Sequence, residues 1–282
     1  DMVKYAISRS NVVINMIGQR KETMNFGFED VHVRWPERLA KIVAQSPHVE
    51  RFLHFSEIGV AVDHPSKRLA SKAKGDALVR EITPNATIVR PGPVVGIEDH
   101  FFNYMIYNLS FGLMAPVFED GQAKIQPTWV VDVANAVPAM LKKAETKGQT
   151  VYLSGPETLT IRETYDVLIR TLRLHADDTI HVPKAIAKAI LQPLDKVRRS
   201  LPLLPMDSPL NSVDFVEETT HDRVAPRGAM GYEALGMKAS VVTDGLPLEP
   251  ARHFRVGGYR WGDMATVAEH VPENIRKFYN IK

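Results

Sequence analysis

The sequence predicts an α/β protein built on a doubly wound parallel sheet, with a smaller C-terminal cap. Short strand-like runs, among them NVVINMIG (Asn11 to Gly18), alternate with longer stretches of helical character. That β-α-β-α-β alternation argues for parallel strands with helices on both faces. At 282 residues, with 44% hydrophobic and 24% charged residues, the chain can build one large core and a small second unit.

Met2 to Arg9 reads as the end of a helix. The β-branched run from Asn11, closed by Gly18, reads as a buried parallel strand. Phe28 to Gln45 reads as a helix with an irregularity at Pro36, and Arg51 to Ser56 as a strand. Ser66 to Ile82, rich in Ala, Lys and Leu, reads as a helix, and Ala86 to Gly92 as the next strand. Beyond it the pattern is mixed. Phe101 to Leu113 is helical, and KIQPTWVVDVANAVPAMLKKA runs from a short strand into a helix whose start is marked by Asp132. Thr150 to Gly155 is a further strand. Thr160 to Leu174 is a helix in which Thr160 and Glu163 stand at capping-box spacing. The expected organisation is an α/β domain over 1–155, a mixed cap over 156–244 and an extended tail over 245–282.

Composition excludes several chemistries. With no cysteine there is no disulfide, thiolate metal site or cysteine nucleophile. No apolar run reaches the roughly eighteen residues of a membrane-spanning helix. A formal net charge of +2 gives no global reason to expect a nucleic-acid partner. His54, His64 and His100 lack metal-ligand spacing, and Asp132 reads first as a helix cap. The chain opens at Asp1 without an initiator Met or a leader, which suggests a processed or incompletely represented chain.

Four features fall in order at successive strand ends: Asn15-Met16-Ile17-Gly18, Ser56, Lys72 on the helix that follows, and Arg90-Pro91-Gly92-Pro93. Taken singly, each has a plain reading as a turn, a cap, a solvated helix lysine or a rigid loop. Together they resemble the atypical extended short-chain dehydrogenases. The strings ETMNFGFEDVH, PSKRLASKAKGDALVREI, NATIVRPGPVVGIEDHFFN and QPTWVVDVANAV resemble, more closely, the accessory subunits of that fold in mitochondrial respiratory complex I.

The resemblance implies a Rossmann-like sheet and a bound dinucleotide, NADPH with NADH as the alternative. Ile17, Gly18, Ser56, Lys72, Pro91, Gly92, Pro93 and Val94 would contact it. It also implies other complex I subunits as partners, a peripheral place on the matrix side of the mitochondrial inner membrane, and contact with lipid as an open question.

Two departures bear on function. The family's opening strand and glycine-rich phosphate turn are not in this sequence. They are expected in the full protein, because a sheet without its first strands exposes an unpaired edge. The position four before Lys72, where the family has a proton-donating tyrosine, is Arg68. A guanidinium stays protonated at any working pH and cannot take over the relay. A non-catalytic subunit is therefore expected. The alternatives are an active NAD(P)-dependent reductase or sugar-nucleotide epimerase, and a nucleotide-sensing or RNA-associated module.

Two further stretches stand apart. On a helix from Pro183 to Pro205, Ile186, Ile190, Leu194, Val197 and Leu201 share one face, and Lys184, Lys188, Asp195, Arg198 and Arg199 the other. Such a helix suits a boundary with lipid or an acidic partner, or it packs inward as part of the cap. The tail carries Tyr259, Arg260 and Trp261, residue types common at interfaces.

Overall fold

The computed structural model describes residues 2–110, 115–174, 179–200 and 212–252. The chain runs α1 (Met2–Ile7), β1 (Val12–Asn15), α2 (Trp35–Ala44), β2 (Arg51–Phe55), α3 (Lys67–Ile82) and β3 (Thr87–Pro91). Then follow β4 (Val94–Val95), α4 (Phe102–Ser110), β5 (Ala115–Phe118), β6 (Lys124–Ile125) and β7 (Thr128–Trp129). After these come α5 (Val130–Lys142), β8 (Thr150–Leu153), β9 (Leu159–Thr160), α6 (Ile161–Leu172) and β10 (Thr179–Val182). The last described elements are α7 (Lys184–Ser200), α8 (Val213–Thr219) and α9 (Glu249–Arg252).

The main sheet has four parallel strands in the order β1-β2-β3-β8. Successive residues of each strand point to opposite faces. Phe52 and Ile88 therefore pack under α1, α2 and α3 with Leu39, Val43 and Val79. Leu53 and Val89 turn the other way, onto Ala136 and Met140 of α5 and onto Tyr232 and Leu235. Burial on both faces is why these strands read as continuous apolar runs. The outer side of β1 has no strand against it among the described residues, and Ile14, Met16 and Ile17 are exposed there.

The helix expected from Phe28 is irregular just ahead of Pro36, in a π-helical turn over Asp30–Arg34 that runs on into α2. Beside it α3 comes so close that a Cβ on Gly75 would overlap the carbonyl oxygen of His32. In α6 the capping box is complete: Thr160 Oγ1 accepts from the Glu163 N–H at 3.0 Å, and Glu163 Oε2 from the Thr160 N–H at 2.7 Å.

The second core does not begin at residue 156. Val95, Phe102, Ile106 and Val117, from the middle of the chain, pack with Ile161, Tyr165, Leu168 and Leu172. The chain passes between the two cores more than once, because the loop after β3 leaves the sheet and α5 brings it back. Nor does an extended tail start at Gly245. Leu248 and Ala251 are buried in the second core, and α9 packs on α4 and α6. The remainder of the expected tail, with Tyr259, Arg260 and Trp261, lies outside the described residues.

The face assignment for α7 is corrected in part. Ala187 and Leu191 are buried with Phe118 and Val216, and Leu194 packs against them. Lys184 and Lys188 turn inward, both reaching the buried carboxylate of Glu217 at 2.6 and 2.7 Å. Ile186, Ile190 and Val197 are left exposed. The helix thus has two apolar faces, and the lysines lie beside the buried one. The side chains of Arg198 and Arg199, and Leu201 entirely, lie outside the described residues.

Candidate functional site

In an open parallel sheet, ligands bind beyond the carboxyl ends of the strands. Here those ends are the turn at Gly18 after β1, Ser56 after β2 and the loop from Pro91 after β3. They border a cavity of about 680 Å³. Gly18, Ser56, Lys72, Pro91, Gly92, Pro93 and Val94 all line it. Ile17 does not: its side chain is exposed, and only its backbone serves the turn, donating to Asn15 Oδ1 at 3.3 Å. Gly92 also has a packing reason to be glycine, because a Cβ there would overlap the carbonyl oxygen of Gln126.

The Gly18 turn is tethered from below by buried polar groups. Asn15 Oδ1 also accepts from Trp35 Nε1 at 3.1 Å, while Asn15 Nδ2 meets His54 Nδ1 at 2.9 Å. His54 Nε2 lies 3.4 Å from Asp76, whose other oxygen takes Arg90 at 2.8 Å. On the far side of the turn the Gln19 N–H donates to His32 Nε2 at 3.0 Å, and His32 Nδ1 meets Ser71 Oγ at 2.9 Å. Burial, helped by the positive charges of Lys72 and Arg68, pulls the His32 imidazole down to about 3. It is therefore neutral, which its acceptor role toward Gln19 requires.

Arg68 stands where a tyrosine relay would need its phenol, and it is fully engaged. Its Nη1 and Nη2 donate to the two oxygens of Glu57 at 2.6 and 2.8 Å. Its Nε and Nη2 donate to Glu218 at 2.7 and 2.8 Å. Burial opposes the Arg68 charge, but the Glu218 and Glu57 carboxylates outweigh it and hold the guanidinium well above the ordinary arginine value. The same exchange works on Glu57, where burial is overcome by Arg68 and Lys72 and the carboxyl sits well below its usual range. Lys72 Nζ lies 3.3 Å from Glu57. Burial pulls the Lys72 ammonium below its ordinary value, and Glu57 only partly compensates.

Glu57, Arg68, Lys72, Glu218 and Arg223 thus form a charged cluster in the cavity wall, which Arg20, Glu98 and Asp99 also line. The sequence reading missed Glu57, Glu218 and Arg223. Glu57 adjoins Ser56, which was a signal. Glu218 and Arg223 lie some 150 residues from Arg68 and Glu57, and no local pattern links them. Asp132 was read as a helix cap. It makes no capping bond and instead accepts from the Ser240 N–H at 2.6 Å, pinning the returning chain to α5. Among the described residues no group of three or more His, Cys, Asp or Glu could hold a metal ion.

Strand order, crossover helices and a cavity at the strand ends define a Rossmann-like α/β protein. Solved structures with this fold include MoeE5 in complex with UDP-glucose and NAD, 14% identical, covering 89% of this chain and 80% of that one at a TM-score of 0.62. A dTDP-glucose 4,6-dehydratase from Bacillus anthracis in complex with NAD is 17% identical, covering 77% of this chain and 76% of that one at a TM-score of 0.55. At such identities the likeness concerns the fold alone. No family model matches the chain.

Curated relatives are more specific. The mitochondrial NADH dehydrogenase (ubiquinone) 1 alpha subcomplex subunit 9 of Arabidopsis thaliana is 32% identical over 278 residues, 98% of this chain and 68% of the relative. The NADH-ubiquinone oxidoreductase 40 kDa subunit of Neurospora crassa is 33% identical over 245 residues, 86% of this chain and 61% of the relative. The subunit 9 of Mus musculus is 31% identical over 266 residues, 93% of this chain and 66% of the relative. The chain belongs to this family of mitochondrial complex I subunits and spans about two thirds of the length of these members.

Proposed function

We propose that the chain is a non-catalytic accessory subunit of respiratory complex I that holds a dinucleotide and supports assembly and stability of the complex. The dinucleotide we infer is NADPH, with NADH as the alternative. The place we infer is peripheral, on the matrix side of the mitochondrial inner membrane. Support for the partners comes from the names of the relatives. No described helix is long and apolar enough to cross a membrane, which accords with a peripheral place.

The observation that carries the non-catalytic reading is Arg68. A nicotinamide, when bound, supplies hydride chemistry, which needs a proton partner at the reacting carbonyl. Among the described residues no tyrosine lines the cavity, and Arg68 is locked between two carboxylates. The residues still fit a dinucleotide. Ser56 Oγ is buried at the cavity wall with no hydrogen-bond partner, an atom that a ligand would satisfy. Lys72 and the Pro91 to Val94 loop line the same cavity and would hold ribose hydroxyls and cover the ring.

The test is nucleotide retention. The purified complex should release NADPH or NADH on denaturation, and Lys72→Met should lower affinity by about tenfold, the loss of one charge-assisted contact. A complex that carries no dinucleotide would overturn the binding reading. Steady NAD(P)H oxidation by the protein with a sugar nucleotide or small carbonyl compound would overturn the non-catalytic one and favour the reductase alternative.

A further inference from the structure

Arg223 is a cationic group of the cavity wall with a buried nitrogen that no partner satisfies. It follows α8 and is fixed at its backbone, where its N–H donates to Lys124 O at 2.7 Å and Asp222 accepts from the Lys124 N–H at 2.8 Å. Its side chain lies against Gly59 and is 5% exposed. Arg68 takes the short bonds of both available carboxylates. Arg223 is left with Nη1 at 3.4 Å from Glu57 and at 4.0 Å from Glu218, while its Nε is buried with no partner.

A guanidinium carries five N–H donors, and a buried one is normally satisfied. Here one long bond serves a side chain that lines a cavity. Ser56 Oγ, a second buried group without a partner, lines the same cavity. Glu57 and Glu218 give their short bonds to Arg68, and Glu57 also faces Lys72. Two further carboxylates nearby are already committed. Asp214 accepts from Ser66 Oγ and the Arg68 N–H, and Asp99 from the N–H groups of Gly96, Phe101 and Asn103.

We propose that Arg223 and Ser56 anchor a second ligand in this cavity, a compact oxyanion presented as a carboxylate or phosphoryl group. A planar guanidinium fork with an unpaired Nε matches two oxygens of such a group. The oxyanion would sit on the α8 side of Ser56, away from the Gly18 turn. The inference stands on the orphaned groups and does not rest on the dinucleotide reading.

Calorimetric titration of the whole protein at constant ionic strength tests it, with inorganic phosphate and succinate as separate probes. At least one should bind the unaltered protein. Arg223→Gln should weaken that binding by about tenfold, and Arg223→Lys should retain part of it. Glu57→Gln should strengthen it, since one competing negative charge is gone, a direction that a purely structural role for the cluster does not predict. NADPH affinity should be nearly unchanged in Arg223→Gln. Should that variant fail to fold, Arg223→Lys and Glu57→Gln decide the matter by their opposite directions. Absence of binding by both probes, or binding indifferent to these substitutions, overturns the proposal. So does competition between phosphate and NADPH with parallel loss of both in Arg223→Gln, which would make the oxyanion the dinucleotide's own.

Discussion

Arg68 ties together two parts of the chain that are remote in sequence, with Glu57 on one side of its guanidinium and Glu218 on the other. Removing one partner from a buried ion cluster leaves uncompensated charge and costs about 3–5 kcal/mol. Arg68→Tyr is thus expected to lose stability of that order in urea unfolding at neutral pH, and to gain no turnover, because its phenol would sit between two carboxylates. A variant with unchanged stability and measurable NAD(P)H oxidation would contradict both statements. The pH dependence separates two groups. Glu57 and Glu218 lie below the usual carboxylate range in the folded protein, so their contribution is present above about pH 4.3 and is lost as pH falls through their depressed folded values. His32 is held at about 3 against 6.5 when unfolded. The unfolded chain therefore binds the extra proton, and stability should decline as pH falls from 6.5 toward 3. His32→Gln should flatten the upper part of that decline and Glu57→Gln the lower part, measured by unfolding across pH. Equal slopes in both variants and the parent would refute the assignment.

At the scale of elements, the contact between α3 and the π-helical turn is the tightest constraint near the cavity. Gly75→Ala would push a methyl group into the His32 carbonyl and move α3, which carries both Arg68 and Lys72. A loss of about 1–3 kcal/mol is expected from such overpacking. Weaker nucleotide retention should accompany it, and a fully stable variant with normal retention would count against the account. The long elements were legible from sequence because their signals are local. Three of the four main-sheet strands, β1, β3 and β8, are short β-branched runs, and the start of α6 is written in Thr160 and Glu163. The π-helical turn was not legible in the periodicity, and α3, some 40 residues later, packs tightly against it. The strands β4, β6, β7 and β9 each span two residues, too few for any periodicity. Of the site, the residues at strand ends could be read in order. Their charged partners could not, because Arg68 and Lys72 look like ordinary surface cations until Glu57 and Glu218 are seen against them.

At the scale of the whole molecule, α8 joins two surfaces through adjacent glutamates. Glu218 faces the cavity wall, while Glu217 holds Lys184 and Lys188 of α7. That grip presents Ile186, Ile190 and Val197 outward, 54%, 57% and 43% exposed. Under the proposed role in complex I, a partner subunit would cover this stripe. Replacing Ile186 and Ile190 together with Asp should leave thermal stability nearly unchanged, because both are already exposed, and should reduce recovery of the subunit with the complex. Normal recovery would overturn the inference, and loss of vesicle binding alone would point to lipid instead. The same span between Arg68 and Glu218 has a consequence in time. A ribosome delivers Glu57, Arg68 and Lys72 long before α8 leaves the exit tunnel, and closing so long a loop is slow. During that interval Arg68 has one carboxylate rather than two, and the charged wall is incomplete. The chain can form its sheet early, but the charged wall of the cavity closes only once α8 has joined it.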